Sequence, residues 1–165
     1  WEGDDGAARE GVFVSRRDTD SRLSALAGGR IFPGVHHHSQ FTVSDQTGRI
    51  SLQVDSNDSE TPLVDLKVSE TDDFPSQSIF GSLNESSRFF ESGSIGYSSR
   101  PKSCTLDGLM LEVPNWQVSP LEVDYVRSAY FDDPSIFPAG SIEFDHALLM
   151  RDIPHVWHSE PEMQM

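Results

Sequence analysis

The chain contains one cysteine, only two lysines and no long hydrophobic run. The single cysteine, Cys104, excludes an internal disulfide and is typical of a reducing compartment, so we expect a cytoplasmic location. A membrane-spanning helix needs about 20 consecutive apolar residues, so we expect no membrane partner. Trp1 is not followed by a basic and then apolar leader, and we expect the chain to begin inside a longer gene product.

Basic residues are also scarce beside acidic ones. The chain has 27 Asp and Glu against 12 Lys and Arg, and its formal net charge is -15. Nucleic-acid binding needs a basic face that this composition can hardly build, so we expect no nucleic-acid partner. We interpret the acidic excess as adaptation to high salt, where charge repulsion is screened, with an ordinary acidic protein as the alternative.

A length of 165 residues and a hydrophobic content of 36% are typical of one folded domain. We expect a single β domain over residues 1–158 that lacks its N-terminal part, followed by a frayed tail over residues 159–165. Homo-oligomer formation is left open by the sequence.

Apolar and polar residues alternate over much of the chain, which predicts half-buried strands. The turn at residues 45–48 and the polar loop at 55–62 indicate an antiparallel meander. The fold class is therefore mainly β, with one or two short helices. The predicted strands cover residues 11–16, 40–44, 49–55, 63–68, 108–113, 121–126 and 141–144.

Two segments have helical features. Residues 76–91 carry an apolar stripe, begin with serines that can cap a helix and end before Gly93. Residues 18–27 predict a shorter helix that ends at Gly28. Residues 145–157 fit either a buried strand or a helical turn.

Familiar cofactor and nucleophile motifs are missing. The chain has neither of the glycine-rich phosphate loops, so we expect no nucleotide cofactor. Ser98 and Ser99 lack the Gly-x-Ser-x-Gly elbow of serine hydrolases. Lys67 lies in the middle of a predicted strand, where we expect it to face solvent.

Three consecutive histidines follow a Pro-Gly turn. On a strand His36 and His38 share one face, and this His-x-His spacing suits Zn or Fe(II). The carboxylate expected a few residues later is absent. The alternative is that the histidines donate hydrogen bonds or line a metal-free pocket. Candidates for a third ligand are Glu143, His146, His155 and His158.

Four arginines lie close to these histidines, at positions 16, 17, 22 and 30. An arginine at the end of the first strand, or after Gly28 and Gly29, can hold a carboxylate or phosphate through two hydrogen bonds. The alternative is pairing with Asp18, Asp20 or other carboxylates of this acidic chain.

Several stretches resemble the YqjF-like family, which is similar to the acetoacetate-decarboxylase-like superfamily. They are the strand and Arg-Arg-Asp of residues 11–21, the Gly-Gly-Arg-Ile-Phe-Pro-Gly turn at 28–34, Phe-Phe-Glu at 89–91 and the tryptophan-led stretch 116–121. The resemblance covers residues 10–158. It implies a large antiparallel sheet curled into a closed or partly closed barrel that holds a ligand.

Residues 96–100 read Gly-Tyr-Ser-Ser-Arg where true decarboxylases have Gly-aromatic-Pro-Lys-Lys. Tyr97 matches the aromatic position, but Ser99 stands at the position of the Schiff-base lysine and Arg100 at that of the second lysine. The resemblance therefore implies the barrel and its cavity, without amine catalysis unless Lys102 substitutes. Fold similarity alone does not transfer an activity.

Three hypotheses for function remain. The first is a barrel that binds a small anionic or oxygenated molecule, with lyase-like chemistry that needs no lysine. The second is a metal-dependent enzyme that uses His36 and His38, and the third is a non-enzymatic structural module. The sequence leaves open whether the protein is an enzyme. For the first hypothesis the candidate catalytic residues are His36, His38 and Ser99, and the candidate ligand-binding residues are Arg16, Arg30, His36, His38, Tyr97 and Arg100.

The acidic composition generates a prediction about salt. We expect the melting temperature to rise from low to multimolar KCl, because screening relieves repulsion among the 27 acidic side chains. Thermal unfolding in a KCl series, followed by circular dichroism, measures this effect. A melting temperature that stays constant or falls would contradict adaptation to high salt.

Overall fold

The computed structural model of the protein describes residues 11–27, 34–99 and 104–164. Within these residues the chain forms ten strands and two helices. The strands are β1 (Val12–Phe13), β2 (Arg17–Thr19), β3 (His36–Gln46), β4 (Arg49–Ser56), β5 (Val64–Glu70), β6 (Ile95–Ser99), β7 (Thr105–Glu112), β8 (Ser119–Ser128), β9 (Ala147–Leu149) and β10 (Val156–Gln164). The helices are α1 (Arg22–Ala27) and α2 (Leu83–Ser92).

The strands form two sheets. One has four strands in the order β1-β6-β7-β10, and the other has six in the order β2-β3-β4-β5-β8-β9. The six-stranded sheet is strongly curled into a half-barrel. The prediction of a mainly β, partly closed barrel with two short helices is confirmed.

The chain divides into two compact units. Unit 1 draws on residues 1–38, 88–116 and 152–165, and unit 2 on residues 39–87 and 117–151. Both units are assembled from segments that are distant in the sequence. The single domain expected over residues 1–158 stays a prediction.

The meander β3-β4-β5 in unit 2 follows from the alternation of its residues. β3 and β4 are joined by the two residues Thr47 and Gly48, which both have positive φ, as a tight type I′ hairpin requires. Across the sheet Leu52 pairs with Val43 on one side and Leu66 on the other, so apolar side chains share one face. Among the described residues few apolar side chains are buried: Val54, Val68 and Leu121 in unit 2, and Tyr97 and Leu106 in unit 1.

Helix α2 is shorter than the segment predicted to be helical, residues 76–91. It begins after Ser82, whose hydroxyl accepts a hydrogen bond from the Glu85 amide at 3.3 Å. The Glu85 carboxylate in turn accepts one from the Gly81 amide at 2.8 Å. This Ser-x-x-Glu pattern resembles a capping box and fixes the start of the helix seven residues later than predicted.

Other predicted elements also change. Residues 141–144, predicted as a strand, pair with no strand in the described part of the chain, and Ile142 and Phe144 are about half exposed. The preceding turn explains this, because Gly140 has a φ of 79° and the Ser141 amide bonds back to the Pro138 carbonyl. Of the ambiguous stretch 145–157, residues 147–149 form β9 and the last two begin β10.

The residues expected to fray at the C-terminus belong instead to β10, which pairs with β7. In the antiparallel register Ser159 lies opposite Leu109, Glu160 opposite Gly108, and Met163 opposite Leu106. Backbone hydrogen bonding to a neighbouring strand therefore holds this segment in place.

We predict that deleting residues 159–165 destabilises the protein. The four residue pairs that β10 would lose correspond to roughly 2–6 kcal/mol, if each pair contributes one ladder hydrogen bond of about 0.5–1.5 kcal/mol. Urea unfolding of the full and shortened chains measures the difference. Equal midpoints would show that the segment is a dispensable tail.

Candidate functional site

Unit 1 contains a cavity of about 260 Å³ where three segments meet. Residues 14–17 form one side, residues 35 and 37 a second, and the end of β6 the third. Two valines supply the apolar lining. The polar lining consists of Ser15, Arg16, Arg17, His37, Ser98 and Ser99.

The first side of the cavity is positioned by parallel pairing with β6. Val12 lies opposite Gly96 and Phe13 opposite Tyr97, and the Val14 amide donates to the Tyr97 carbonyl at 2.7 Å. A side chain at position 96 would not fit, because its Cβ would lie 2.9 Å from a methyl group of Val14. Glycine at this position therefore permits the close approach that shapes the cavity.

A few residues later the same segment leaves β6 and pairs with the start of β3. In this second parallel pairing Arg17 lies opposite His36 and Asp18 opposite His37. The stretch from Val12 to Thr19 thus connects the two strands that carry the serines and the histidines.

Arg17 is the most constrained polar side chain of the cavity. Its Nε donates a hydrogen bond to the Ser98 hydroxyl at 2.7 Å. Its Nη2 is buried and finds no hydrogen-bond acceptor in the described residues. Burial lowers the pKa of Arg17 from its ordinary value, and the negative charge of Asp107 acts in the opposite direction. A buried donor without an acceptor is rare and calls for an explanation.

Gly34 packs against Arg17 and is itself bound to Asp107. The Gly34 amide donates to the Asp107 carboxylate at 2.9 Å, and Gly34 has a φ of 77°, which favours glycine. A Cβ at position 34 would lie 2.8 Å from Arg17 Nε and 3.2 Å from Ser98 Cβ. The absence of a side chain at Gly34 therefore lets the backbone pack directly against the arginine.

Arg16, the second cation of the cavity, is paired within its own segment. Its Nε lies 2.9 Å and 3.1 Å from the two oxygens of the Asp18 carboxylate, and its Nη2 lies 2.9 Å from one of them. The alternative that sequence analysis left open, pairing with a neighbouring carboxylate, thus applies to Arg16.

The cavity includes only some of the residues expected from the sequence. Arg16 and Ser99 line it, whereas Tyr97 is buried in β6 and does not. His37 lines it in place of His36 and His38. The His36 ring nitrogen Nδ1 lies 3.2 Å from the Gly34 carbonyl instead. The alternation of the strand therefore presents the middle histidine to the cavity.

Two expected ligand-binding residues, Arg30 and Arg100, lie outside the described residues, as does Lys102. Arg17 and Ser98 are considered in the sequence analysis but are not among its candidate ligand-binding or catalytic residues, although both have recognisable signals. Arg17 is the second member of an Arg-Arg pair at the end of a predicted strand, and Ser98 stands where the resemblance places a proline. Their contact spans 81 positions in the sequence, so local patterns do not reveal it.

The geometry offers little to the metal hypothesis. Within residues 11–27, 34–99 and 104–164, no three His, Cys, Asp or Glu side chains are placed to hold one ion. His158, one candidate third ligand, is instead bound to Glu112 at 2.6 Å. His36 and His38 therefore have no third ligand among these residues.

A larger and more open groove of about 780 Å³ lies in unit 2 on the polar face of β3, β4 and β5. It contains Lys67, whose ammonium lies 5.8 Å from the centre of the Tyr125 ring. The Lys67 side chain is exposed, as its position in the strand predicted. Nothing desolvates this amine as a Schiff-base lysine requires.

Unit 2 also contains a Ser-His-Asp arrangement that sequence analysis did not foresee. The Ser86 hydroxyl lies 2.7 Å from His146 Nε2, and His146 Nδ1 contacts the Asp145 carboxylate. Asp145 accepts further hydrogen bonds from the Ser78 hydroxyl at 2.6 Å and the Ile79 amide at 2.9 Å. The order of groups is that of an activated serine.

Burial excludes that role in this conformation. Ser86 is completely buried, so no substrate reaches its hydroxyl. The edges of the Phe74 and Phe80 rings pack against His146, with ring centres 5.1 Å and 5.6 Å away. The arrangement therefore ties the first turn of α2 to residues 74–80 and 145–146, as a structural network.

No protein-family model, curated protein or solved structure matches this chain. In the part of the chain that the structure describes, no helix is long and apolar enough to cross a membrane.

The Ser86 network generates a pH prediction. The hydrogen bonds that Asp145 accepts hold the pKa of its carboxyl below the ordinary value of 3.8, so the charged form stabilises the fold above that pH. This contribution is lost as the pH falls through and below the ordinary value. We expect Asp145→Asn to be less stable than the wild type at pH 7, with a difference that shrinks below about pH 4.

Urea unfolding of both proteins between pH 2.5 and 7 measures this difference. Asp72→Asn is the control, because it removes the same charge from an exposed position in the same unit. A difference between wild type and Asp145→Asn that is independent of pH would show that the charge of Asp145 does not stabilise the fold.

Proposed function

We propose that the unit 1 cavity binds a small molecule that carries an oxyanion, either a carboxylate or a phosphate. The observation that supports this most is Arg17, whose buried Nη2 has no acceptor among the described residues. Leaving a buried donor without a partner costs about 1–3 kcal/mol, and more for a charged group. An anion that enters the cavity would supply the missing acceptor once the guanidinium turns Nη2 toward it.

The neighbouring hydroxyls suit the same ligand. Ser98 accepts a hydrogen bond from Arg17 Nε, so its own hydrogen is available to donate. The Ser98 hydroxyl and Arg17 Nη2 would then act as adjacent donors to the two oxygens of one carboxylate or phosphate. Ser15 and Ser99 line the same cavity and can contact the rest of the ligand.

The size of the cavity favours a small ligand. Its volume of about 260 Å³ lies just below the range of about 300–1,000 Å³ that is usual for ligand pockets. The proposal therefore concerns a small metabolite.

The resemblance to the acetoacetate-decarboxylase-like superfamily supports the same location. Ser99 stands at the position of the Schiff-base lysine, and it lines this cavity beside Arg17. We propose that the chain is a member of that superfamily that has kept the ligand cavity and lost amine catalysis. Lyase-like chemistry at this site would depend on His37 as the proton donor or acceptor, because it is the histidine that lines the cavity.

Replacement of Arg17 tests the proposal. The wild type should be stabilised by small carboxylates or phosphate in a thermal-shift screen, by about 2.7 kcal/mol at 100 times the dissociation constant. Arg17→Ala should weaken binding by roughly 10- to 100-fold, because it removes a charged hydrogen bond. Arg127→Ala is the control, since it removes the same charge from an exposed residue that pairs with Asp132 in unit 2.

Two outcomes would contradict the proposal. If no carboxylate or phosphate stabilises the wild type, the cavity is a structural feature of a non-binding module. If an anion binds and Arg17→Ala weakens it no more than Arg127→Ala does, the anion binds elsewhere.

A further inference from the structure

Both arginines of the cavity lie beside a carboxylate of their own. Arg16 is held by Asp18, with distances of 2.9–3.1 Å. Arg17 lies in the field of Asp107. Among the described residues, the charge of each of these two arginines is therefore offset by a neighbouring carboxylate before any ligand enters.

The position of the Asp107 charge is fixed. Its side chain is on β7, is only 7% exposed, and accepts a hydrogen bond from the Gly34 amide at 2.9 Å. Gly34 in turn packs directly against Arg17, where an added Cβ would come within 2.8 Å of Nε. Asp107 does not line the cavity, but its negative charge lies close enough to affect Arg17 and an anion bound there.

The two carboxylates differ in how strongly water screens them. The side chain of Asp18 is 16% exposed and that of its partner Arg16 29%, so solvent reduces the field of this pair. Asp107 is more deeply buried, and its repulsion of a bound anion is screened less. The attraction by the arginines and the repulsion by the carboxylates both grow in proportion to the charge on the ligand, whereas the cost of removing the ligand from water grows with the square of its charge.

We infer that the cavity selects singly charged anions over doubly charged ones, and that Asp107 is the residue that determines this specificity. The inference rests on the proposed function. Arg17 attracts an anionic group and Asp107 offsets part of that attraction, so the attraction that remains compensates the desolvation of a monoanion but not the larger desolvation cost of a dianion. The ligand class is therefore a small monoanion, such as a monocarboxylate.

Asp107→Asn tests the inference. The amide keeps one oxygen that can accept the hydrogen bond from Gly34, and it removes the charge while an NH2 group replaces the second carboxylate oxygen. Acetate and sulfate serve as probes, because their charges are constant between pH 6 and 8. Dissociation constants for both are measured by titration calorimetry at constant ionic strength.

The measured quantity is the ratio of the sulfate to the acetate dissociation constant. The wild type should bind acetate more tightly, and Asp107→Asn should lower the ratio by about tenfold, as expected for removing one weakly screened charge near the site. Glu112→Gln is the matched control. It removes one negative charge from an exposed residue in the same unit, which pairs with His158, and should leave the ratio unchanged.

Asp18→Asn provides a second test that does not depend on the folding of Asp107→Asn. It should lower the same ratio by a smaller factor, because Asp18 is more exposed. If the ratio is unchanged in every variant that folds, the inference is wrong although anion binding stands. If the wild type binds neither acetate nor sulfate, the proposed function itself is contradicted, and the inference about Asp107 falls with it.

Discussion

The double pairing of residues 12–19 is the constraint on which the candidate site depends. The segment runs parallel to β6 at its start and parallel to the beginning of β3 at its end. Such short parallel pairings have little stability alone, and contacts between side chains stabilise them further. Arg17 donates to Ser98 across one junction, and Gly34 packs against Arg17 at the other. The cavity is the space that remains between the two pairings, so its shape and its charge come from the same few residues.

The local part of the fold could be predicted from the sequence, and the non-local part could not. The meander β3-β4-β5 follows from alternation and from a turn whose residues adopt positive φ. The start of α2 lies later than the apolar spacing predicts, because the Ser-x-x-Glu cap at residues 82–85 fixes it. In the site, Arg16 and Ser99 were expected, but the choice of His37 over its neighbours depends on the register between β2 and β3. That register joins segments about 19 residues apart, and alternation alone does not determine it.

Ser86 and Ser98 both take part in side-chain hydrogen bonds, but they differ in whether a ligand can reach them. This difference in access separates a structural serine from a candidate ligand-binding one. Ser86 has the partners of an activated nucleophile, yet it is completely buried and its network is satisfied. The Ser98 hydroxyl accepts a hydrogen bond from Arg17, and Ser98 lines a cavity in which a donor has no acceptor among the described residues. A satisfied buried network stabilises one conformation. An unsatisfied donor beside a cavity is the feature that a ligand can complete.

The end of the four-stranded sheet has a consequence for how copies of this protein meet. Among the strands that the structure describes, β10 is an edge strand, and such edges can template the addition of strands from other molecules. Here the register shifts between Glu160 and Met163, Pro161 offers no backbone donor, and Glu160 and Glu162 add negative charge. These features protect the edge although Trp157, on the same strand, is more than half exposed. β10 therefore disfavours aggregation of the protein through this edge at high protein concentration.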